Sequence, residues 1–331
     1  VRAVLPPSDD ETARPLPRLG ELPAPEPGPG EVLVAVRAAG LNRADLLQLR
    51  GLYPPPRGVS EVPGLECAGV VAAAGPEVQG FRPGERVMAL LAGGGQAERV
   101  AVPAGQLMPL PETLSFEEGA ALPEACLTAW TNLVAEGGLE AGETVLVTGA
   151  TGGVGTMAVQ LARELGARVL AAGRSRERLA PLAELGAEAL LLDEPGLAGE
   201  VRERTGGRGA DLVFDLVSGE LLPEHLAALR DRGRLILIGL MAGARAELDL
   251  AEVLRRRLTI RGSVLRARPR DEKAALVAAF RDFAADRLAD GRLRPVIHRV
   301  FPFEKVADAY RELAAGGVAG KVLVRMSEPA A

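Results

Sequence analysis

The rhythm of hydrophobic and polar positions changes near residue 122. Before it, apolar residues alternate over short stretches separated by glycine and proline. Val32, Val34 and Val36 within GEVLVAVRAAG predict a half-buried strand after a Pro-Gly turn, and further short strands are expected over 62–71, 85–90 and 93–102, the last as a hairpin-like piece. Residues 1–30, rich in proline and acidic residues, predict an extended entry with edge pairing rather than helix. A short helix is expected over 42–49. The GLYPPP segment at 51–56 has to be loop, because three prolines exclude helix and central strand. After Pro123, apolar runs at 145–147, 168–172, 189–192, 212–215, 235–238 and 258–264 alternate with stretches of helical spacing. That pattern predicts an α/β chain: a β-rich domain over 1–122 and 265–331, interrupted by a doubly wound domain over 123–264 with a six-stranded parallel sheet. A helix at 274–285 and a strand at 321–325 return the chain to its first part.

The stretch 144–175, TVLVTGATGGVGTMAVQLARELGARVLAAGRS, organises the rest. An apolar strand runs into a glycine-rich turn, and Val154, Ala158, Leu161 and Leu165 then recur at helical spacing before the next strand at βαβ distance. Gly149, Gly152, Gly153 and Gly155, with Ala150 and Thr151 between them, let backbone N–H groups approach a pyrophosphate at a helix N-terminus. The pattern is a variant, Ala150-x-Gly152-x-x-Gly155, of the usual dinucleotide fingerprint. The competing reading is a turn that only packs a helix on a strand.

The end of the second strand selects the dinucleotide. An Asp or Glu about 20 residues past the first glycine holds the ribose 2′-hydroxyl of NAD, and the same carboxylate repels a 2′-phosphate. Here the positions hold Gly173, Arg174, Ser175, Arg176 and Arg178, so NADPH is the expected cofactor. The same arginines would also suit the solvated start of a helix.

Composition narrows the classes further. A length of 331 residues suits two domains, and 47% hydrophobic residues supply ordinary cores. The net charge of −5, without a basic block interleaved with aromatics, argues against nucleic acid as a partner. No apolar run reaches membrane-spanning length and no secretory leader pattern opens the sequence, so a cytoplasmic location is the expectation. Cys67 and Cys126 are too few for a four-cysteine zinc lobe and are expected to be small buried side chains. His225 and His298 stand outside metal-ligand spacing and read as structural or surface residues.

LNRAD (41–45), GLYPPP (51–56), PGLECAG (63–69), GGGQAE (93–98), LPEACLTAW (122–130), TGATGGVG (148–155), GRLILIGLMAG (233–243), GSVLRAR (262–268) and GKVLV (320–324) together resemble the zeta-crystallin-like quinone oxidoreductases of the medium-chain dehydrogenase/reductase superfamily. The pattern is similar to the branch induced by an animal tumour suppressor. The resemblance implies a GroES-like catalytic domain around a Rossmann domain, NADPH as hydride donor, and an active cleft between the two. Zinc-dependent relatives use a cysteine, a histidine and a later cysteine; the matching places here hold Asn42, Leu65 and a non-cysteine, so no metal is expected. Without a Lewis acid, an electron-poor acceptor such as a quinone or conjugated enone is favoured over an unactivated carbonyl.

By the same resemblance Asn42 and Tyr53 line the substrate pocket and can hydrogen-bond a quinone oxygen, and Thr128, taken as lying at the start of a helix, stands on the nicotinamide side. Turn capping for Asn42, loop anchoring for Tyr53 and helix capping for Thr128 are the structural alternatives. Asp45 is expected to brace the helix rather than transfer protons. Further cofactor contacts carried over are Ser218, then Gly239, Leu240 and Met241, then Ser263, Leu265, Arg266 and Arg268, all at strand C-terminal ends. A tyrosine that often packs near the adenine ribose is replaced by Asp193, and Arg255, Arg256 and Arg257 read as a solvated helix end. Two other activities fit the resemblance: double-bond reduction of 2-alkenals or enoyl thioesters, and non-catalytic NADPH binding, which in such relatives extends to RNA. A homodimer is expected, the segment 258–264 pairing with its symmetry mate.

Overall fold

In the computed structural model, which describes residues 1–7, 16–191 and 196–327, the chain enters through two short antiparallel strands, β1 (Arg2–Leu5) and β2 (Arg18–Glu21). The alternating valines lie in the long strand β3 (Glu31–Leu41), where Val32, Val34 and Val36 are all buried. A short helix, α1 (Arg43–Leu49), precedes β4 (Glu66–Ala74) and β5 (Arg86–Leu90). The strand expected from residue 62 starts only at Glu66, because Pro63 and Gly64, at φ 109°, turn the chain first. After β5 come β6 (Arg99–Pro103) and β7 (Leu107–Pro109).

The hairpin-like reading of 93–102 is corrected by the pairing. β6 lies against the first half of β3, Glu31–Ala35, and not beside β5, since Gly95 is spent in a loop tied to the Gly64 carbonyl (3.0 Å). Two helices follow, α2 (Phe116–Ala120), capped by Ser115, and α3 (Pro123–Trp130), which runs on into a π-helical turn, Thr131–Ala135.

The next part alternates strand and helix: β8 (Thr144–Thr148), α4 (Gly153–Glu164), β9 (Arg168–Gly173), α5 (Arg176–Leu179), β10 (Glu188–Leu191), α6 (Leu197–Arg204), β11 (Ala210–Asp215), α7 (Leu222–Ala227), β12 (Leu229–Leu237), α8 (Leu250–Arg256) and β13 (Thr259–Gly262). All six strands are parallel in the order β10-β9-β8-β11-β12-β13. β8 is buried throughout, which is why its sequence is a continuous apolar run instead of an alternation. The order reverses between β8 and β11, and open sheets of this kind bind ligands at the strand C-termini beside that reversal. Leu146, Leu170, Val213 and Leu235 on the strands meet Val201 and Leu226 on the helices in the core. The arginine run closes α8: Arg255 is solvated and Arg257 is a left-handed cap, but Arg256 departs from the expectation. It is largely buried and donates to the Leu226 carbonyl (3.2 Å) and to that of Leu229.

The chain closes with α9 (Arg270–Ala289), β14 (Ile297–Pro302), α10 (Val306–Ala315) and β15 (Lys321–Arg325). β15 continues the edge of β3 that β6 leaves free, pairing antiparallel with Ala38–Leu41, and β14 lies parallel outside it. Seven strands thus form one mixed sheet, over which Val36, Val71, Val100, Val322, Phe303 and Tyr310 build a core. β14 carries no clear sequence signal, since IHRVFP mixes charge into a short apolar run, whereas α10 does carry one that the reading above lacks: Val306, Ala309, Tyr310 and Leu313 recur at helical spacing. Two units result, one from residues 1–127 and 266–331 and the other from 128–265, the first break falling inside α3.

Candidate functional site

In the second unit the glycine-rich turn sits between β8 and α4. Gly149 adopts φ 65°, and Gly152, the N-cap of α4, brings no capping side chain, so the first-turn N–H groups, which lack intrahelical acceptors, gain none from the cap. A Cβ on Gly155 would stand 2.4 Å from the Gly149 carbonyl oxygen and 2.6 Å from the Ala150 Cα, so helix and turn meet backbone to backbone. On Gly152 the nearest atom would be 3.7 Å away, which leaves that side open. The turn thus brings residues 150–155 to a helix N-terminus, a fit for a pyrophosphate, with the N–H groups of Ala150 and Gly152 spent on the carbonyls of Ala172 (3.1 Å) and Gly149 (3.2 Å).

Gly173 ends β9, and Ser175 caps α5 by accepting the Arg178 N–H (3.3 Å). Arg174 is exposed and Arg178 half-buried, and neither is paired with a carboxylate among the described residues. Ser218 is buried at the end of β11; Gly239 follows β12, with Leu240 and Met241 exposed beside it. Ser263 follows β13, its N–H donating to the Leu237 carbonyl (3.0 Å), and Leu265 is buried. Asp193 lies outside the described residues.

Thr128 is buried near the C-terminal end of α3 and not at a helix start, so helix capping does not describe it. The π-turn that follows lifts the backbone out of register, and the Thr128 carbonyl accepts from the Asn132 side chain (2.8 Å).

The first unit holds a buried polar cluster. Lys321, at the start of β15, is 4% exposed and donates from Nζ to Asn42 Oδ1 (2.6 Å), to the Leu41 carbonyl (3.2 Å) and to Glu66 Oε1. Asn42 Nδ2 donates to the same Glu66 oxygen at 2.9 Å, while the other oxygen accepts the Glu124 N–H at 2.9 Å. Asn42 therefore caps α1 and is also clamped between an ammonium and a carboxylate, with one amide hydrogen left over among the described residues. Asp45 braces this arrangement, accepting from the Asn42 N–H (2.7 Å), the Gly64 N–H (3.1 Å) and Gln96 (3.3 Å); Gln96 in turn accepts the Tyr310 hydroxyl (2.7 Å). Burial pushes the Asp45 carboxyl up to about 6 against those donors. Burial, with the charge of Glu66 beside it, pushes Glu124 up to about 8, so that side chain carries a proton at neutral pH.

Tyr53 lies half-buried in the loop after α1. Arg266, expected beside the cofactor, is buried and engaged within the first unit: it donates to the carbonyls of Ala92 (2.6 Å) and Tyr53 (3.0 Å) and to Gln48 Oε1 (2.6 Å), with its guanidinium 5.2 Å from the Tyr53 ring centre. Arg268 pairs with Glu272 one helical turn on. Burial, then the charge of Glu124, raises the Tyr53 pKa, with Arg266 opposing, so the phenol stays a hydrogen-bond donor. Glu66, Glu124 and Lys321 were not singled out from the sequence. For Glu66 and Lys321 the signal was a charged residue at the mouth of an apolar strand, ECAGVV and KVLV; Glu124 stands in the first turn of α3.

A parallel sheet with a phosphate-type turn at its switch point, joined in one chain to a β-rich unit with a polar interior, is an arrangement that dinucleotide-dependent oxidoreductases use. Two family models match, the alcohol dehydrogenase GroES-like domain over residues 28–112 and the zinc-binding dehydrogenase over 153–281. Quinone oxidoreductase of Lama guanicoe is 31% identical over 92% of this chain and 91% of its own. The Streptomyces orinoci spectinabilin polyketide synthase system protein NorB is 39% identical over 90% of this chain, which spans only 13% of NorB. Among solved structures, an NAD-dependent alcohol dehydrogenase superposes with TM-score 0.84 at 33% identity over 99% of this chain and all of its own. A Pseudomonas syringae quinone oxidoreductase gives 0.83 at 30% over 93% and 95%, and the CurK enoyl reductase 0.83 at 28% over 94% and 95%. The chain belongs to the medium-chain dehydrogenase/reductase superfamily.

The zinc-binding name raises the question of a metal. Among the described residues no three His, Cys, Asp or Glu side chains come together to hold one. Glu66 is already engaged by Lys321 and Asn42, and burial drives the thiols away from ionisation, Cys67 to about 12 and Cys126 likewise upward. A zinc thiolate set does not fit these residues.

Proposed function

We propose that this chain is an NADPH-dependent, zinc-independent reductase of quinones and similarly electron-poor acceptors. The observation that carries the reading is the engagement of Glu66 and Asn42 by the Lys321 ammonium. An internal cation there supplies a fixed positive charge without offering the open coordination position that an unactivated carbonyl needs. Delocalised acceptors are the class that such a site can serve.

Bound NADPH would supply the hydride. The glycine turn 149–155 would hold its pyrophosphate, Gly173, Arg174, Ser175 and Arg178 its 2′-phosphate end, and Thr128, Ser218, Gly239, Leu240, Met241, Ser263 and Leu265 the remainder. Arg174 and Arg178, without carboxylate partners among the described residues after β9, support the phosphorylated dinucleotide over NADH. On the acceptor side, the Tyr53 phenol would donate to a quinone oxygen, as would the remaining N–H of Asn42, polarised by the ammonium on its carbonyl. The solvated proton that completes the hydroquinone then meets an oxygen whose charge is already shared.

A second reading, reduction of conjugated enoyl or 2-alkenal double bonds, draws support from the likeness to the CurK enoyl reductase and from NorB. Steady-state assays with NADPH and NADH against quinones, 2-alkenals and saturated aldehydes separate the two. The quinone reading expects turnover with quinones first and none with saturated aldehydes. A homodimer goes with the proposal: β13 is an unpaired sheet edge, and Leu250 and Leu254 on α8 are 73% and 77% exposed. Sedimentation at micromolar concentration tests it, a monomer being the contrary result.

A further inference from the structure

We infer that Asp215, with Thr148 and His225 around it, is a positioning knot that holds the turns of the second unit in the shape a dinucleotide requires. The inference rests on reading this unit as the dinucleotide holder and is independent of the acceptor. Asp215 ends β11, directly across the strand-order reversal from Thr148, which ends β8; both are fully buried. Thr148 Oγ1 donates to Asp215 Oδ1 (2.8 Å) and accepts the Leu216 N–H (3.1 Å), so one hydroxyl ties the strand entering the glycine turn to the turn after β11. The same carboxylate oxygen accepts the N–H groups of Val217 (2.9 Å) and Ser218 (3.0 Å), and the other accepts the Ser218 hydroxyl (2.9 Å). His225 on α7, also fully buried, stands with Nδ1 3.1 Å from that second oxygen. The Asp215 main-chain carbonyl accepts from Ile238 (2.9 Å) and Gly239 (3.2 Å), which adds the turn after β12. Burial opposes the charge of this carboxylate, yet His225 and the N–H donors hold its pKa below the ordinary range.

Ser218 gives the arrangement its meaning. It sits at φ 52°, ψ −139°, a conformation foreign to residues with a side chain. Such strain persists only where the surroundings enforce it, and here three bonds to one carboxylate do so. Asp215 does not itself face a ligand; it acts through the three turns it fastens.

Equilibrium titration of the full chain with NADPH tests this, alongside melting temperatures and the acceptor KM. Thr148→Val and Asp215→Asn are expected to weaken NADPH binding by about tenfold or more, the scale of a lost bond to a charged group, while the acceptor KM holds. Thr148→Ser, which keeps the hydroxyl, should bind within about twofold of the parent. Asp215→Asn combined with Ser218→Gly should recover part of the loss, because glycine accepts φ 52° unaided. Unchanged affinity in folded Thr148→Val, or no recovery in the double variant, overturns the inference. A parent protein that binds neither NADPH nor NADH overturns the dinucleotide reading along with it.

Discussion

The proposed nucleotide end of the second unit and the polar interior of the first are built from opposite materials. One is backbone: glycines, helix N-terminal N–H groups and strand ends, most of it within residues 144–178. The other is side chain: Asn42, Asp45, Glu66, Gln96, Glu124 and Lys321 come from segments spread over nearly the whole chain and meet only in the folded unit. A backbone site survives most side-chain changes and fails when bulk is added. A buried ionic site fails when one partner is removed, because the charge left behind has lost its solvent and its counter-ion.

The largest effect follows from that asymmetry. Lys321→Met should cost about 3–5 kcal/mol in denaturant unfolding by stranding Glu66, and pairing it with Glu66→Met should restore much of that stability. If the double variant is no more stable than the single one, the ion pair is not what holds the cluster together. In the other region, Gly155→Val should abolish NADPH binding while leaving the first unit folded, since any Cβ there meets the turn backbone. Retained affinity would mean that the turn does not hold the dinucleotide.

Smaller effects sharpen the contrast. Arg178→Ala together with Arg174→Ala should lower the preference for NADPH over NADH by about tenfold or more, measured as a ratio of kcat/KM values. Tyr53→Phe should reduce kcat/KM for a quinone by about tenfold with the NADPH dissociation constant unchanged. The least obvious effect is on pH. Glu124 is raised from an ordinary 4.5 to about 8, so between those values the folded state binds a proton that the unfolded state has lost. Stability should therefore decline as pH rises through that window, and Glu124→Gln should flatten the decline. An unchanged slope in urea titrations across pH 5 to 8 would show that Glu124 titrates normally.

The contrast also explains what could be read from the sequence. The six strands of the second unit were legible because each is a local apolar run, and β8 with its turn is one continuous segment. β14 was not, since Ile297–Pro302 is neither a clean alternation nor a run; α10 could have been read from the helical spacing of Val306, Ala309, Tyr310 and Leu313. The partnership of β6 with β3 was hidden because pairing between distant strands leaves no local mark, and nearby glycines suggested a hairpin instead. Asn42 was legible as a cap; its clamp was not, because Lys321 follows it by most of the chain. Arg266 looked like one more basic residue at a strand end, and only the folded loop reveals three acceptors waiting for it.

The most direct measurement is the initial rate of NADPH oxidation with a simple benzoquinone, compared with NADH and with a saturated aldehyde, before and after exhaustive dialysis against a zinc chelator. The predicted result is rapid quinone-dependent oxidation favouring NADPH, no turnover of the aldehyde, and no change on dialysis. Aldehyde reduction that disappears with the chelator and returns with zinc, or a preference for NADH, would contradict it.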